Sequence, residues 1–225
     1  MKRGVSVAVD PVETSRTEPE RRSADTREKM LEVAEREFAR RGYDGAHLQH
    51  IASQVGVQKT ALYYYFESKA ALYEAVLVRM LEAFDARVRE AVERPGPPEE
   101  RLERLLDGLN DLLAERSHYS KMLIRVFVDL VPLRASQVGP MIERVVGRVL
   151  RFYREGVDAG VFVRQSSRHV FLSLLGTVTL HYASGALGKA VLGVPDLFTH
   201  SAVAWRREEA RGLLLRAMLK NPPVD

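Results

Sequence analysis

Along most of this chain, apolar residues recur at the three-to-four spacing of a helix face, and no stretch shows the strict alternation of a half-buried strand. The first periodic segment starts near Thr26. Met30, Leu31, Ala34 and Phe38 share one face, and the charges Glu32, Glu35, Arg36 and Arg40 are assigned to the solvent side. Gly42 closes it. A short helix is predicted over 48–55, then Gly56, then another over 58–65. From 68 to 93, Leu72, Val76, Met80, Phe84, Val88 and Val92 recur every four residues, with Ala75 and Leu81 widening the stripe. Pro95-Gly96-Pro97-Pro98 stops this helix and forms a linker. The next helix carries Leu102, Leu105, Leu106, Leu109, Leu112 and Leu113. Further helices are predicted at 119–130, ended by Pro132, at 138–157, ended around Gly156 and Gly160, at 167–188, and at 201–220, stopped by Pro222-Pro223.

The pattern predicts an all-α chain of about nine helices. Residues 1–24 are polar and aperiodic and read as a disordered arm. Residues 25–70 form a three-helix N-terminal domain, and residues 71–225 form a larger helical domain.

Composition adds limits. A hydrophobic content of 46% suits a chain that buries a real core. The net charge of +4 is mildly basic, and the excess is not at the N-terminus: residues 1–69 hold 12 Lys/Arg against 11 Asp/Glu, a net of +1. The absence of cysteine excludes disulfides, thiolate metal sites and cysteine nucleophiles. Between Arg168 and Lys189 lie 20 uncharged residues, long enough to span a bilayer. His169, Ser173, Thr177, Thr179, His181 and Ser184 are scattered through them and are costly in hydrocarbon, so a helix buried in protein is expected, with no membrane partner. No apolar run opens the chain, so no signal peptide is expected, and the predicted location is cytoplasmic.

The densest local signal is QKTALYYYFESK, residues 58–69. Ile51 and Val55 lie one turn apart, Ala52 is small enough for a second helix to approach, and Gly56 supplies the positive φ of a sharp turn. Val57 and Leu62 complete a small core. This spacing is that of a helix-turn-helix, whose second helix enters the DNA major groove. Leu62 and Phe66 point to the core, which leaves Tyr63, Tyr64 and Tyr65 off that face. Rings placed there pack on sugars or thymine methyls and donate to phosphates, and Lys59 and Lys69 on either side pair with the backbone.

On the stretch GYDGAHLQHIASQVGVQKTALYYYFESKAALYEAV, residues 42–76, with the helix before it, the chain resembles the tetracycline-repressor-like (TetR) family of bacterial transcription regulators. The resemblance is specific over roughly residues 26–76. Elsewhere it consists of helix count, length and the turn EGVDAGV, residues 155–161. It implies that Gln49 makes a base contact, that Lys59, Thr60 and Ala61 open the recognition helix ahead of Tyr63, Tyr64 and Tyr65, and that Lys69 meets a phosphate. Three positions depart from the family pattern. Ala46 and His47 replace the usual Thr or Ser at the start of the second helix, Gln58 replaces the Ser that opens the third, and Tyr65 replaces a His. His47 then takes over a phosphate contact, although it is a poor N-cap.

The same resemblance implies a homodimer on an inverted-repeat operator and a ligand site inside the larger bundle. The helices over 167–188 and 201–220 are the expected dimer surface, with Ala183, Gly185 and Ala186 permitting close approach, Leu213, Leu214, Ala217 and Met218 giving an apolar stripe, and Trp205 as an anchor. The expected ligand residues are Phe84, Met122, Val126, Phe127, Val149, Tyr153, Phe171, Leu174, Leu175 and Val178. All are apolar except the Tyr153 hydroxyl, so a small lipophilic effector is expected. No phosphate-cradling glycine loop or G-x-S-x-G elbow is present, and the six histidines lack metal-ligand spacing, so neither enzyme activity nor a cofactor or metal is expected. The reading is a DNA-binding repressor released by its effector. A ligand-independent or architectural DNA-binding protein and a membrane-associated helical protein are the alternatives.

Overall fold

The computed structural model describes residues 18–128 and 137–222, apart from the side chains of Pro19, Phe127 and Val128. Among the described residues the chain forms ten helices: α1 (Glu18–Gly45), α2 (Leu48–Val55), α3 (Lys59–Tyr65), α4 (Lys69–Glu93), α5 (Pro98–Glu115), α6 (Tyr119–Val128), α7 (Val138–Asp158), α8 (Ser167–Ala183), α9 (Gly185–Leu192) and α10 (His200–Met218). The periodic segments of the sequence are all there. The departures from the expected boundaries have identifiable causes.

Helix α1 begins at Glu18, so the arm expected over 1–24 is helical over its last seven residues; residues 1–17 lie outside the described residues. Glu18 and Glu20 sit in the first turn, where carboxylates complement the exposed N–H groups, and Arg22 Nε donates to Glu18 Oε1 at 3.3 Å one turn on. Gly42 breaks the helix as its sequence position implies, with φ 72° and ψ 179°. The kink turns Tyr43 back into an aromatic cluster, 6.3 Å from Phe38 and 5.1 Å from Tyr73 of α4.

The tenth helix comes from a break in the long uncharged segment. The helix expected over 167–188 is two, α8 and α9, bent by 89°. Gly185 has φ 57°, which a right-handed helix does not accommodate, and the Ser184 hydroxyl donates to His181 O at 2.6 Å. Among the described residues, no single helix is long and apolar enough to cross a membrane.

Helix α10 ends at Met218, before the prolines expected to stop it. The chain there is captured by the turn after α7: Val163 N–H donates to Met218 O at 2.9 Å and Lys220 N–H to Val161 O at 3.0 Å, forming an isolated antiparallel bridge between Phe162 and Leu219. Pro132 lies outside the described residues, and so does Pro223.

Helix α4 is unbroken across the domain boundary expected at 70/71. Ser68 caps it by accepting from Ala71 N–H at 3.1 Å, and its buried stripe runs from Leu72 to Val92. Its first turns pack with α1, and its later turns pack with α5 and α7. Helices α8 and α10 close the bundle. The buried Tyr182 hydroxyl donates to Asn110 Oδ1 of α5 at 2.9 Å, and Arg206 donates to the Thr177 carbonyl at 2.6 Å. His181 lies beside them. Burial, and then the Arg206 charge, lowers its pKa to about 4, so it is neutral at pH 7.

The turn after α7 depends on Gly156. A Cβ there would lie 2.2 Å from the ring of Phe162, which is fully buried, stacked on Tyr153 at 5.7 Å and edge-on to Phe152 at 5.5 Å. The ring has no room to retreat. Gly156→Ala is expected to lower stability by about 1–3 kcal/mol through overpacking, despite the better helix propensity of Ala. Equilibrium urea unfolding checks this, and an unchanged or raised midpoint would refute the packing argument.

Candidate nucleic-acid interface and apolar cavity

Helices α2 and α3 are held at a fixed angle by their turn. Gly56 adopts the left-handed conformation, φ 83° and ψ 28°; its N–H donates to Ser53 O at 3.2 Å, while Val57 N–H donates to Ala52 O at 3.0 Å. A Cβ at Gly56 would meet nothing within 4 Å, so glycine is required there by backbone conformation and not by space. Ile51, Ala52, Leu62 and Phe66 are buried as the spacing implied.

The exposed side of this pair carries His47, Gln49, Gln58, Lys59, Thr60, Tyr63 and Tyr64. Tyr64 is 83% exposed and Tyr63 47%, a costly placement for large rings in a monomeric surface. Lys59 Nζ lies 5.9 Å above the Tyr63 ring, which keeps the charge and the ring on one side of the helix. His47 and Gln58 occupy the N-cap positions of α2 and α3, and neither side chain makes a capping bond, so both are available to an outside partner.

Three expected contact residues are placed differently. Tyr65 is half-buried against the core and its hydroxyl lies 3.2 Å from Ser23 Oγ of α1. Ala61 is also half-buried against the core. Lys69 Nζ donates to the Asp44 carbonyl at 3.1 Å and sits 4.9 Å over the Tyr43 ring. The three-tyrosine run therefore divides: two rings face out, and the third joins α3 to the N-terminal turns of α1. The reason is helical rotation, since Tyr65 follows Leu62 by three residues and shares its side.

Two buried carboxylates of α1 escaped the sequence reading. Glu35, assigned to the solvent face, is 0% exposed. Its Oε2 accepts from His118 Nε2 at 2.7 Å, and its Oε1 forms an ion pair with Arg79 Nε of α4 at 3.2 Å. Glu37 is 2% exposed and meets Arg41 at 2.7 Å, Arg40 at 3.0 Å and His50 Nδ1 of α2 at 3.2 Å. Burial alone would raise its pKa; the hydrogen bond from Arg40 and the charges of His50, Arg41 and Arg40 outweigh it and hold the carboxyl below its usual range. That contribution to stability is present above the unfolded carboxyl range and is lost as pH falls through the lowered value.

In the bundle, α4, α5, α6, α7 and α8 wall a cavity of about 180 Å³. Its lining includes Phe84, Val126, Val149, Phe171, Leu174, Leu175 and Val178 of the expected set, together with Leu77, Met80, Leu123 and Val145. Every described side chain in the lining is apolar. Met122 is fully buried but not in the lining. Tyr153 is not a polar handle in the cavity, because its hydroxyl donates to the Val163 carbonyl at 2.5 Å, anchoring the turn after α7. The Phe127 side chain lies outside the described residues. Among the described residues no cluster of three or more His, Asp or Glu is arranged to hold a metal.

A family model described as bacterial regulatory proteins, tetR family, matches residues 30–76, which run from the middle of α1 into α4. The probable HTH-type transcriptional regulator ArpR of Pseudomonas putida is 34% identical over 201 residues, covering 89% of this chain and 84% of ArpR. The HTH-type transcriptional activator FasR of Mycolicibacterium smegmatis is 31% identical over 114 residues, 51% of this chain and 52% of FasR, so the matched chain spans about half the length of that relative. Among solved structures, the ketosteroid transcriptional regulator KstR2 of Mycobacterium tuberculosis shares the fold, with a TM-score of 0.70 at 19% identity over 87% of this chain and 95% of that one.

The burial pattern separates scaffold from surface. Leu62→Ala is expected to cost about 2–5 kcal/mol and to melt the small N-terminal core, whereas Tyr64→Ala is expected to change stability by no more than about 0.5 kcal/mol. Thermal unfolding followed by circular dichroism distinguishes the two; equal losses would mean that Tyr64 is a packing residue.

Proposed function

The chain belongs to the tetR family of bacterial regulatory proteins, and from that premise we propose that it is a homodimeric transcriptional repressor that reads an inverted-repeat operator and lets go of it when a small lipophilic effector enters the bundle. The observation that carries the reading is the outward face of α3. Lys59, Thr60, Tyr63 and Tyr64 stand exposed on a helix whose other side, Leu62 with Tyr65 and Phe66, is fixed to the core. A packed helix presenting cation, hydroxyl and rings together fits a major groove, where phosphates position the protein and base edges specify the sequence.

The dimer reading is supported by where exposed apolar side chains collect. Leu172 and Leu180 of α8, Leu187 and Val191 of α9, and Trp205 and Leu213 of α10 are all exposed. Gly176 lies on α8 among them, with open space where a Cβ would stand. Helices α8 and α10 of two copies would form the shared bundle. A single helix-turn-helix covers about one half-site, so pairing supplies the second.

The effector reading rests on the cavity. Among the described residues a ligand buried there meets no hydrogen-bonding side chain, so the part it buries is hydrocarbon-like. At about 180 Å³ the cavity is smaller than the ~300 Å³ at which ligand pockets usually begin, so most effectors have to push its walls apart. Two of those walls are α4 and α6, which also pack against α1. A ligand that fits only the expanded cavity shifts the population toward a different placement of the DNA-reading helices, and differential affinity is all that such a shift requires.

Selection from random duplex DNA at ~150 mM salt is expected to enrich an inverted repeat; no enrichment by folded protein would sink the reading. On the selected site, Tyr64→Ala is expected to weaken binding by about 1–3 kcal/mol, and Lys59→Ala to weaken it uniformly across sequences while lowering the salt slope by about 1. For the dimer, Leu180→Glu combined with Leu213→Glu is expected to give a folded monomer by sedimentation velocity. A dimer that survives both charges would place the interface elsewhere.

A further inference from the structure

Glu35 is a carboxylate with no exposed surface, and such a charge is retained only where its partners are fixed. One partner, Arg79, lies on α4 and also reaches Glu28 at 2.8 Å, so it ties α4 to two turns of α1. The other, His118, belongs to neither helix: it sits in the turn between α5 and α6, immediately before the first residue of α6. The ring of Tyr119, next in the chain and itself buried, packs edge-on against His118 at 5.0 Å and faces Phe84 at 6.2 Å. Burial, and then the neighbouring Glu35 charge, pushes the Tyr119 phenol up to about 12. Phe84 lines the apolar cavity, as do Leu123 and Val126 further along α6.

We propose that His118 is a positioning residue that transmits the state of the cavity to the DNA-reading module, through its hydrogen bond to the buried Glu35. The proposal deepens the effector reading given above and rests on it. The contacts form one connected chain. The cavity is walled by Phe84 and α6; α6 begins against His118; His118 holds Glu35; and Glu35 lies in the helix that packs on α2. Tyr119 and Val126 are seven residues apart, about 10 Å along one short rigid helix, so an outward push at Val126 moves α6 as a body. The 2.7 Å bond does not stretch gradually. Displacement by ~1 Å takes it outside hydrogen-bond range, leaving the buried Glu35 paired with Arg79. The bond is thus made or broken, which gives α1 two discrete placements relative to α6. Arg79 remains with α1 in both, so the change is directed to the junction with α6.

The test uses a fixed occupant in place of the effector, and a readout that needs no DNA. Val149→Trp fills the cavity from α7, with Val145→Phe as a second filler should the first fail to fold. Each is placed in three full-length backgrounds: His118 retained, His118→Leu and His118→Gln, the last keeping an amide donor for Glu35. Hydrogen exchange is followed by mass spectrometry in peptides covering α1 to α3. Filling the cavity is expected to speed exchange there at least fivefold with His118 or His118→Gln, and less than twofold with His118→Leu. The same acceleration in all three backgrounds would overturn the route through His118, and so would no acceleration in any of them. Operator binding of the filled variants separates this failure from failure of the effector reading. Weakened binding with an unresponsive or His118-independent module removes only the route, whereas unchanged binding removes the effector reading as well.

Discussion

One helix has to satisfy two cores at once. Helix α4 runs without a break from Lys69 to Glu93, and its single apolar stripe serves the N-terminal module at one end and the bundle at the other. Tyr73 packs its ring edge-on to Phe38 at 4.8 Å, while Leu77, Met80, Phe84 and Val88 line the cavity. A rigid rod shared in this way cannot tilt for one core without disturbing the other. Gly56 sets the angle of α3, the kink at Gly42 returns Tyr43 to the rod, and Ser68 fixes the residue at which the rod begins. The turn after α7 is tied down separately, through Phe162 and Leu219.

Apolar packing against such a rod leaves freedom of rotation and slide, because dispersion and burial are nearly directionless. The buried carboxylates of α1 remove that freedom. Glu37 meets His50 of α2, and Glu35 meets Arg79 of α4 and His118 before α6. Buried ion pairs contribute little net stability once desolvation is counted, so their effect here is on placement: charges that must be paired exclude intermediate registers. Similar pairs act at the far end of the rod, where Arg148 of α7 lies 3.3 Å from Asp85 and also reaches Glu93.

The surface shows the complementary arrangement. Large apolar side chains are exposed in two regions above all: Tyr63 and Tyr64 on α3, and the group on α8, α9 and α10. Those on α3, α8 and α10 lie on helices whose other sides are buried, so exposure there comes from the sequence of a well-packed helix and not from a loosened one, whereas α9 buries no residue. The proposed function gives these two surfaces a common sense, because a two-fold protein that reads a two-fold site would need one face for each task.

The sequence by itself determined the helices, their order and the helix-turn-helix, because 3.6-residue periodicity, Gly56 and the Ser68 cap are local properties. It also marked Lys59, Tyr63 and Tyr64 as surplus to a core, and seven of the side chains that line the cavity. Tertiary structure decided what depends on contacts distant in the chain. Glu35 and Glu37 look like ordinary solvent-face charges of α1, since their partners His118 and Arg79 arrive from 83 and 44 positions away and His50 comes across a turn. Tyr65 shares the side of Leu62 by helical rotation, but its partner Ser23 comes from 42 positions away, and Tyr153 was withdrawn from the cavity by the Val163 carbonyl. The bend at Gly185 carries no proline or charge to announce it, and α10 stops early because a turn after α7 competes for its last backbone groups. Periodicity reports which face of a helix is buried; it says nothing about which buried polar group finds a partner, because that partner is chosen by the fold.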